Sequence, residues 1–357
     1  MIPPARDSLM FVFATAVIAS FFGSAKTLRG SSPQQFDVYW NVPTFMCHKH
    51  GMKFEELKDF GIHQNAMDMF RGEEIAILYD PGMFPALLVD KDGYVTKRNG
   101  GVPQEGNLKE HLETFRKHLT TQIPDESFSG IGIIDFESWR PIFRQNWASL
   151  EPYKTLSIKL EREKHPFWSE AAVKKEAKRR FEKSGRIFME ETLKMAKKLR
   201  PKAKWGYYGY PHCFNQTPGQ QSVHCNRQTM MENDGMSWLF TLEDVHAPSV
   251  YLRLEIKEDD RPSFVKGRVS EALRLAAKSS SKQRILPYYW FIYQDKKDEF
   301  LTEKDTQNTI NMIANLGSNG FIIWGSSDDV NTERKCKDLQ QYVKEVLGPA
   351  IKKFTLH

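Results

Sequence analysis

Short apolar runs rich in β-branched and aromatic residues recur along the chain. They are Phe36–Trp40, Ile75–Tyr79, Ile131–Phe136, Trp205–Tyr210, Val250–Leu254, Leu286–Tyr293 and Phe321–Trp324. Several are continuous rather than alternating, as strands covered on both faces are. Helical patterns lie between them. The clearest is Glu170–Leu199, where Val173, Ala177, Phe181, Phe188, Met195 and Leu199 predict a buried stripe. Others are Leu108–Leu119, Val265–Ala277, Glu303–Leu316 and Thr332–Val346. Strand followed by helix, repeated, means parallel strands joined by right-handed crossovers. About seven such units favour a closed α/β barrel of TIM type over an open doubly wound sheet. The open sheet ordinarily carries a glycine-rich loop after its first strand, and Asn41-Val42-Pro43-Thr44 has no glycine. No repeat or linker marks a second domain.

The first residues stand apart from this pattern. Arg6 precedes an apolar run from Leu9 to Phe22, followed by Gly23, Ser24 and Ala25. That is the layout of a secretory signal, residues 1–25, leaving a mature domain of 26–357. A retained anchor is the rival reading, but the run is short for a bilayer. The chain of 357 residues is 40% hydrophobic and 27% charged, an ordinary globular balance.

Secretion changes how the four cysteines read. An even number in an extracellular chain implies two disulfides, with three connectivities. The close pair Cys213 and Cys225 suggests a local clip, leaving Cys47 for Cys336. No CxxC pair or tight Cys/His spacing supports zinc, so no metal is expected. Asn215-Gln216-Thr217 is a glycosylation sequon, which predicts a surface loop at Asn215. The net charge of +6 fits a polyanionic partner. For a secreted chain that partner is an acidic polysaccharide rather than nucleic acid or membrane. The basic stretch Lys174–Arg180 reads as a solvated helix face before it reads as a polysaccharide track.

The candidate chemistry lies at the end of the third strand, Ile133-Ile134-Asp135-Phe136-Glu137. Alternation puts Asp135 and Glu137 on one face and Phe136 on the other. The plain alternative is that Glu137 meets Arg140 or Arg144, and spacing alone does not choose. Neighbours at i and i+2 approach a sugar from one side, so Asp135 is badly placed as a nucleophile opposite Glu137. A substrate that attacks through its own acetamido oxygen needs only one protein acid and an orienting partner.

The segment Gly132-Ile133-Ile134-Asp135-Phe136-Glu137-Ser138-Trp139-Arg140-Pro141 resembles the active-site signature of animal hyaluronidases. Phe143-Arg144-Gln145-Asn146-Trp147, Tyr39-Trp40-Asn41-Val42-Pro43-Thr44 and Tyr79-Asp80-Pro81-Gly82 continue the likeness. So do Trp205-Gly206-Tyr207-Tyr208-Gly209-Tyr210-Pro211 and Ile323-Trp324-Gly325-Ser326-Ser327. The likeness covers nearly the whole mature chain and is nearest to insect-venom members. It implies a distorted seven-stranded barrel that cuts hyaluronan, with chondroitin as a second candidate, and needs no cofactor. It also implies Glu137 as acid/base and Asp135 as the residue positioning the acetamido group. Tyr208, Tyr251 and Trp324 become cleavage-site residues, with Ser326 and Ser327 in the groove, and the resemblance supports Cys47–Cys336 and Cys213–Cys225. Tyr79 falls at a strand end, and Arg140 could offset a substrate carboxylate. Tyr289 and Trp290 read as barrel core. His212 and Gly235 depart from the residues usual in relatives.

Overall fold

A computed structural model describes residues 35–216 and 222–355. The signal segment and Thr217 lie outside the described residues. Seven parallel strands form the barrel: β1 (Asp37–Asn41), β2 (Ile75–Tyr79), β3 (Ile131–Asp135), β4 (Lys204–Tyr207), β5 (Val245–His246), β6 (Arg284–Ile285, resuming at Tyr288–Trp290) and β7 (Gly320–Trp324). Continuous ladders join β2, β3 and β4. Others join β6, β7 and β1. The short β5 pairs with β6, and single bridges at Tyr208–Ala247 and Ser249–Tyr288 carry the wall from β4 to β6.

Between β1 and β2 no ladder forms, and this is where the barrel is distorted. A three-residue strand, Ile62–Gln64, pairs with β1 instead. The Asn65 side chain then does the work of a strand edge. Its carbonyl accepts from the Glu74 and Ile75 amides at 3.0 and 3.1 Å, and its amide donates to the Ile75 carbonyl at 2.9 Å. A buried strand edge must be satisfied somehow, and here one side chain does it.

The fifth strand differs from the sequence expectation. It starts at Val245, while Val250–Leu254 is irregular chain after the barrel wall. Pro248 offers no N–H to a ladder, so the strand is broken there. Val250, Tyr251 and Leu252 are still buried, which is why they form an apolar run.

Helices pack around the wall: α1 (Leu108–Gln122), α2 (Glu151–Lys164), α3 (Glu170–Leu199), α4 (Arg227–Gly235), α5 (Arg261–Ala276), α6 (Glu303–Asn315), α7 (Glu333–Tyr342) and α8 (Gly348–Thr355). Asn107 caps α1 by accepting from the Glu110 amide, and Ser169 caps α3 by accepting from Ala172. The buried stripe of α3 runs Val173, Ala177, Phe181, Phe188 and then Met189, Leu193 and Ala196. The expected Met195 and Leu199 are only half-buried, because over 30 residues the stripe drifts around the helix axis. α2, α4 and α8 were not among the expected helices.

Residues of β3 divide between two cores. Ile131 and Ile133 belong to one cluster with Tyr39 and Tyr288, and Ile134 and Phe136 to another with Phe115, Phe181 and Phe188 of α1 and α3. Gly132 is required between them, since a Cβ there would stand 2.5 Å from the Trp205 ring. Cys47 is joined to Cys336 of α7, and Cys213 to Cys225.

Candidate active site

Asp135, the last paired residue of β3, and Glu137, two residues on, keep the parity of Ile131 and Ile133. They therefore emerge at the carboxyl end of the barrel, where loops of such folds gather their chemistry. Phe136, between them, is buried against Phe84, with ring centroids 4.0 Å apart, and edge-on to Trp139 at 4.8 Å. This packing fixes the turn that aims Glu137. The Tyr208 amide donates to the Ile134 carbonyl at 3.0 Å, and the Asp80 amide to the Asp135 carbonyl at 2.7 Å. Neighbouring strands thus hold both sides of the carboxylate segment.

The two carboxylates line a small cleft of about 70 Å³ with Ile77, Tyr208, Tyr251, Tyr288 and Trp324. Among the described residues no protein donor is hydrogen-bonded to either carboxylate. Burial, then the Glu137 charge, then Asp80 push the Asp135 carboxyl up to about 8. Burial also raises Glu137, opposed by Arg140. Glu137 nonetheless faces the open cleft and is reached by solvent. The pair therefore holds a proton near neutral pH, which a general acid requires.

The pairing of Glu137 with Arg140 or Arg144, left open above, is not what forms. Arg144 makes a two-pronged ion pair with Glu232 at 2.5 and 2.7 Å. Arg140 donates to the Gln145 carbonyl at 2.6 Å and lies 5.1 Å from the ring centres of both Trp147 and Phe214. It is near enough to bias Glu137 electrostatically without binding it.

The rest of the cleft is a box of aromatic rings. Tyr251 stacks on Trp324 at 5.7 Å, and Tyr208 meets Tyr288 edge-on at 5.0 Å. Trp324 donates its indole N–H to the Tyr79 hydroxyl at 2.7 Å. Burial pushes that hydroxyl up to about 12 and holds Tyr208 and Tyr251 far above their usual range, so all three remain O–H donors. Such rings present apolar faces to sugar C–H groups and hydroxyls to sugar oxygens. Ser326 and Ser327 do not line this cleft; Ser326 forms a capping box with Asp329, which also accepts from the Trp290 indole at 2.9 Å.

Three features were missed by the sequence reading. Tyr288 lines the cleft, although the neighbouring Tyr289 and Trp290 are core. Tyr288 and Trp290 share one parity, and Trp290 packs edge-on to the cleft rings Tyr251 and Trp324, while Tyr289 turns the other way against Phe321. Arg268 of α5, near Tyr208, is a half-buried guanidinium with no carboxylate partner among the described residues. It donates to the Ser249 carbonyl at 2.6 Å and to the Asn215 side-chain oxygen at 3.0 Å. Burial, opposed by Tyr208, lowers its pKa to about 10.

The third feature corrects an expectation. Asn215 was placed at the surface by its sequon, but it is 5% exposed. Its amide nitrogen donates to the Phe264 and Ser222 carbonyls at 3.0 and 3.3 Å. The nitrogen that would carry a glycan is engaged inside the fold. A larger cavity of about 590 Å³, lined by Phe291, Phe300, Asp329 and Arg334 among others, contains neither Asp135 nor Glu137. Among the described residues no cluster of His, Cys, Asp and Glu could hold a metal ion.

The hyaluronidase family profile matches residues 28–357. The hyaluronidase of Apis mellifera is 58% identical over 351 residues, covering 98% of this chain and 92% of that one. The crystal structure of bee venom hyaluronidase in complex with a hyaluronic acid tetramer superposes with a TM-score of 0.88 at 61% identity, over 90% of this chain and all of the other. The inactive hyaluronidase B of Vespula vulgaris is 46% identical, covering 90% of this chain and 94% of its own. With a barrel wall of this topology and extensive identity along its length, the chain belongs to the hyaluronidase family of glycoside hydrolases.

Proposed function

We propose that this chain hydrolyses the β-1,4 bonds of hyaluronan after N-acetylglucosamine, with chondroitin as a second substrate, by a retaining mechanism in which the substrate's own acetamido group is the nucleophile. The observation that carries this reading is the placement of Asp135 and Glu137 on one face of β3, without protein donors, inside a box of tyrosines and a tryptophan. A second carboxylate across the scissile bond, as ordinary retaining glycosidases use, is replaced by a group of the sugar.

In the first step the acetamido oxygen bonds to the anomeric carbon as the glycosidic C–O bond breaks. The departing oxygen takes the proton of Glu137. Asp135 accepts from the acetamido N–H and offsets the positive charge that develops on the resulting oxazoline ring. The Tyr208 and Tyr251 hydroxyls steady the same group. Water then attacks the anomeric carbon, gives its proton to the Glu137 carboxylate, and the acetamido group is released with configuration retained. Burial of both groups and the Glu137 charge beside Asp135 leave one proton on the carboxyl pair; the cycle places it on Glu137 once the acetamido group is bound, because the cationic ring favours Asp135 as the carboxylate.

The test is the size distribution of high-mass hyaluronan after incubation with wild type and Glu137→Gln. Wild type is expected to shorten it to even-numbered oligosaccharides. Glu137→Gln is expected to lose on the order of 10²–10⁴-fold or more in rate, while still binding polymer. Near-normal turnover by the variant sinks the assignment. Binding without shortening by folded wild type makes the chain a silent carbohydrate-binding homologue. Secretion belongs to the same reading and predicts a protein in culture medium whose N-terminus lies near Lys26.

A further inference from the structure

α2 and α3 form an antiparallel pair whose connecting turn carries two aromatic side chains with little to cover them. Phe167 is 98% exposed and Trp168 43%. Trp168 lies flat on His165, with ring centroids 3.7 Å apart and planes 7° from parallel. Arg162 donates to the Trp168 carbonyl at 2.6 Å, which fixes the turn. The rings are thus displayed by an ordered element.

Charge is concentrated at the same place. Residues 159–180 contain eight Lys or Arg against four Glu, a net +4 out of the chain's +6. Some of these cations are tied up: Lys174 pairs with Glu170, Arg179 with Glu176 and Arg180 with Glu161. Lys159 and Lys178 reach a glutamate only at 3.9 and 4.0 Å, and exposed Lys175 has no ion pair among the described residues. By itself such a helix face is solvated; the aromatic pair at its end is what sequence periodicity did not reveal.

Its position relates it to the cleft. Lys164 and Arg180 both reach Glu105, at 2.7 and 3.4 Å, and Glu105 stands just before the start of α1. Helices of a β/α barrel begin at the rim where the strands end. The turn at residues 165–169 therefore projects past that rim on the side where Asp135 and Glu137 open.

We propose that this turn is a second, non-catalytic contact for an acidic polysaccharide chain engaged at the cleft. The proposal rests on the hydrolase reading above and extends it. Phe167 and Trp168 offer faces to sugar C–H groups, and the surrounding cations meet uronate carboxylates. A polymer held there raises the local concentration of its own bonds at the cleft. A lipid surface fits less well, because the apolar side of α3 is buried against the barrel and no amphipathic face remains to enter a bilayer.

The test compares wild type with Phe167→Ser/Trp168→Ser and, separately, Lys175→Glu/Lys178→Glu, on high-mass hyaluronan and on hyaluronan octasaccharide. Expected are unchanged melting temperatures, unchanged octasaccharide kinetics, and a KM for polymer raised on the order of tenfold with kcat preserved. The charge variant should also flatten the salt dependence of that KM. Equal polymer KM in all proteins overturns the proposal, as does a parallel loss on octasaccharide. So does a loss of binding to phosphatidylserine-containing vesicles with polymer kinetics intact, which assigns the turn to membranes. If wild type cleaves neither substrate, the hydrolase reading fails. Retention on immobilised hyaluronan then decides the contact: lowered by the substitutions it stands, unchanged it falls.

Discussion

Trp324 at the end of β7 donates its indole N–H to the hydroxyl of Tyr79 at the end of β2, 2.7 Å away. The bond spans the one side of the barrel where β1 and β2 share no ladder. It holds the ring that stacks on Tyr251 inside the cleft. Tyr79→Phe should cost less than about 1 kcal/mol of stability, since water can replace a partly exposed acceptor. Turnover should suffer more: kcat/KM falling about tenfold corresponds to roughly 1.4 kcal/mol of lost positioning. Steady-state kinetics beside a thermal melt separates the two effects.

Asp135 links activity to stability. Its folded pKa, about 8, lies above the ordinary 3.8, so the fold favours the protonated form. Below the ordinary value both states are protonated and nothing is lost. As pH rises from about 4 towards 8 the folded state must ionise a buried group or keep a proton the unfolded chain has released, so stability falls. Asp135→Asn removes that liability. The variant should melt a few degrees above wild type at pH 7.5, with the difference vanishing near pH 4, while its activity collapses. Melting curves across that range check the sign.

Asn215 satisfies a half-buried guanidinium and two backbone carbonyls at once. Asn215→Ala strands the Arg268 Nε–H and should cost about 1.5–3 kcal/mol, the range for hydrogen bonds to charged groups. The folded secreted protein should carry no glycan at this residue, which peptide mass spectrometry with and without glycosidase treatment decides.

Gly132 makes room for the Trp205 ring beside the strand that carries Asp135. Gly132→Ala overpacks this contact and should destabilise by about 1–3 kcal/mol. Because β3 must shift to relieve it, kcat should drop even at temperatures where the variant is fully folded. Unaltered kcat in folded Gly132→Ala would show that Asp135 and Glu137 are insulated from the strand beneath them.

The shared face of Asp135 and Glu137 was legible because period-two alternation is a local rule, and the chain obeys it from β3 to Glu137. The barrel was legible in its buried runs. What failed depends on partners distant in sequence. Val250–Leu254 is apolar because the barrel covers it, not because it pairs as a strand. Asn215 is buried because α5 offers Gly267, where a Cβ would come within 2.7 Å of its amide nitrogen. No spacing around residue 215 carries that information. α2, with the sequence EPYKTLSIKLEREK, buries only Tyr153, Ser157 and Glu161 deeply, so its inward side is partly polar and gives a weak periodic signal.

The bond between Cys47 and Cys336 spans 289 residues and joins the chain just after β1 to the helix that follows β7. Tension applied to the two ends of the domain enters at those cysteines and passes through one covalent link. The strand carrying Asp135 and leading to Glu137 lies inside the closed ring and outside the load path. A molecule dragged along a viscous, tethered polymer network would then transmit force through a cross-link while its cutting edge stayed unloaded.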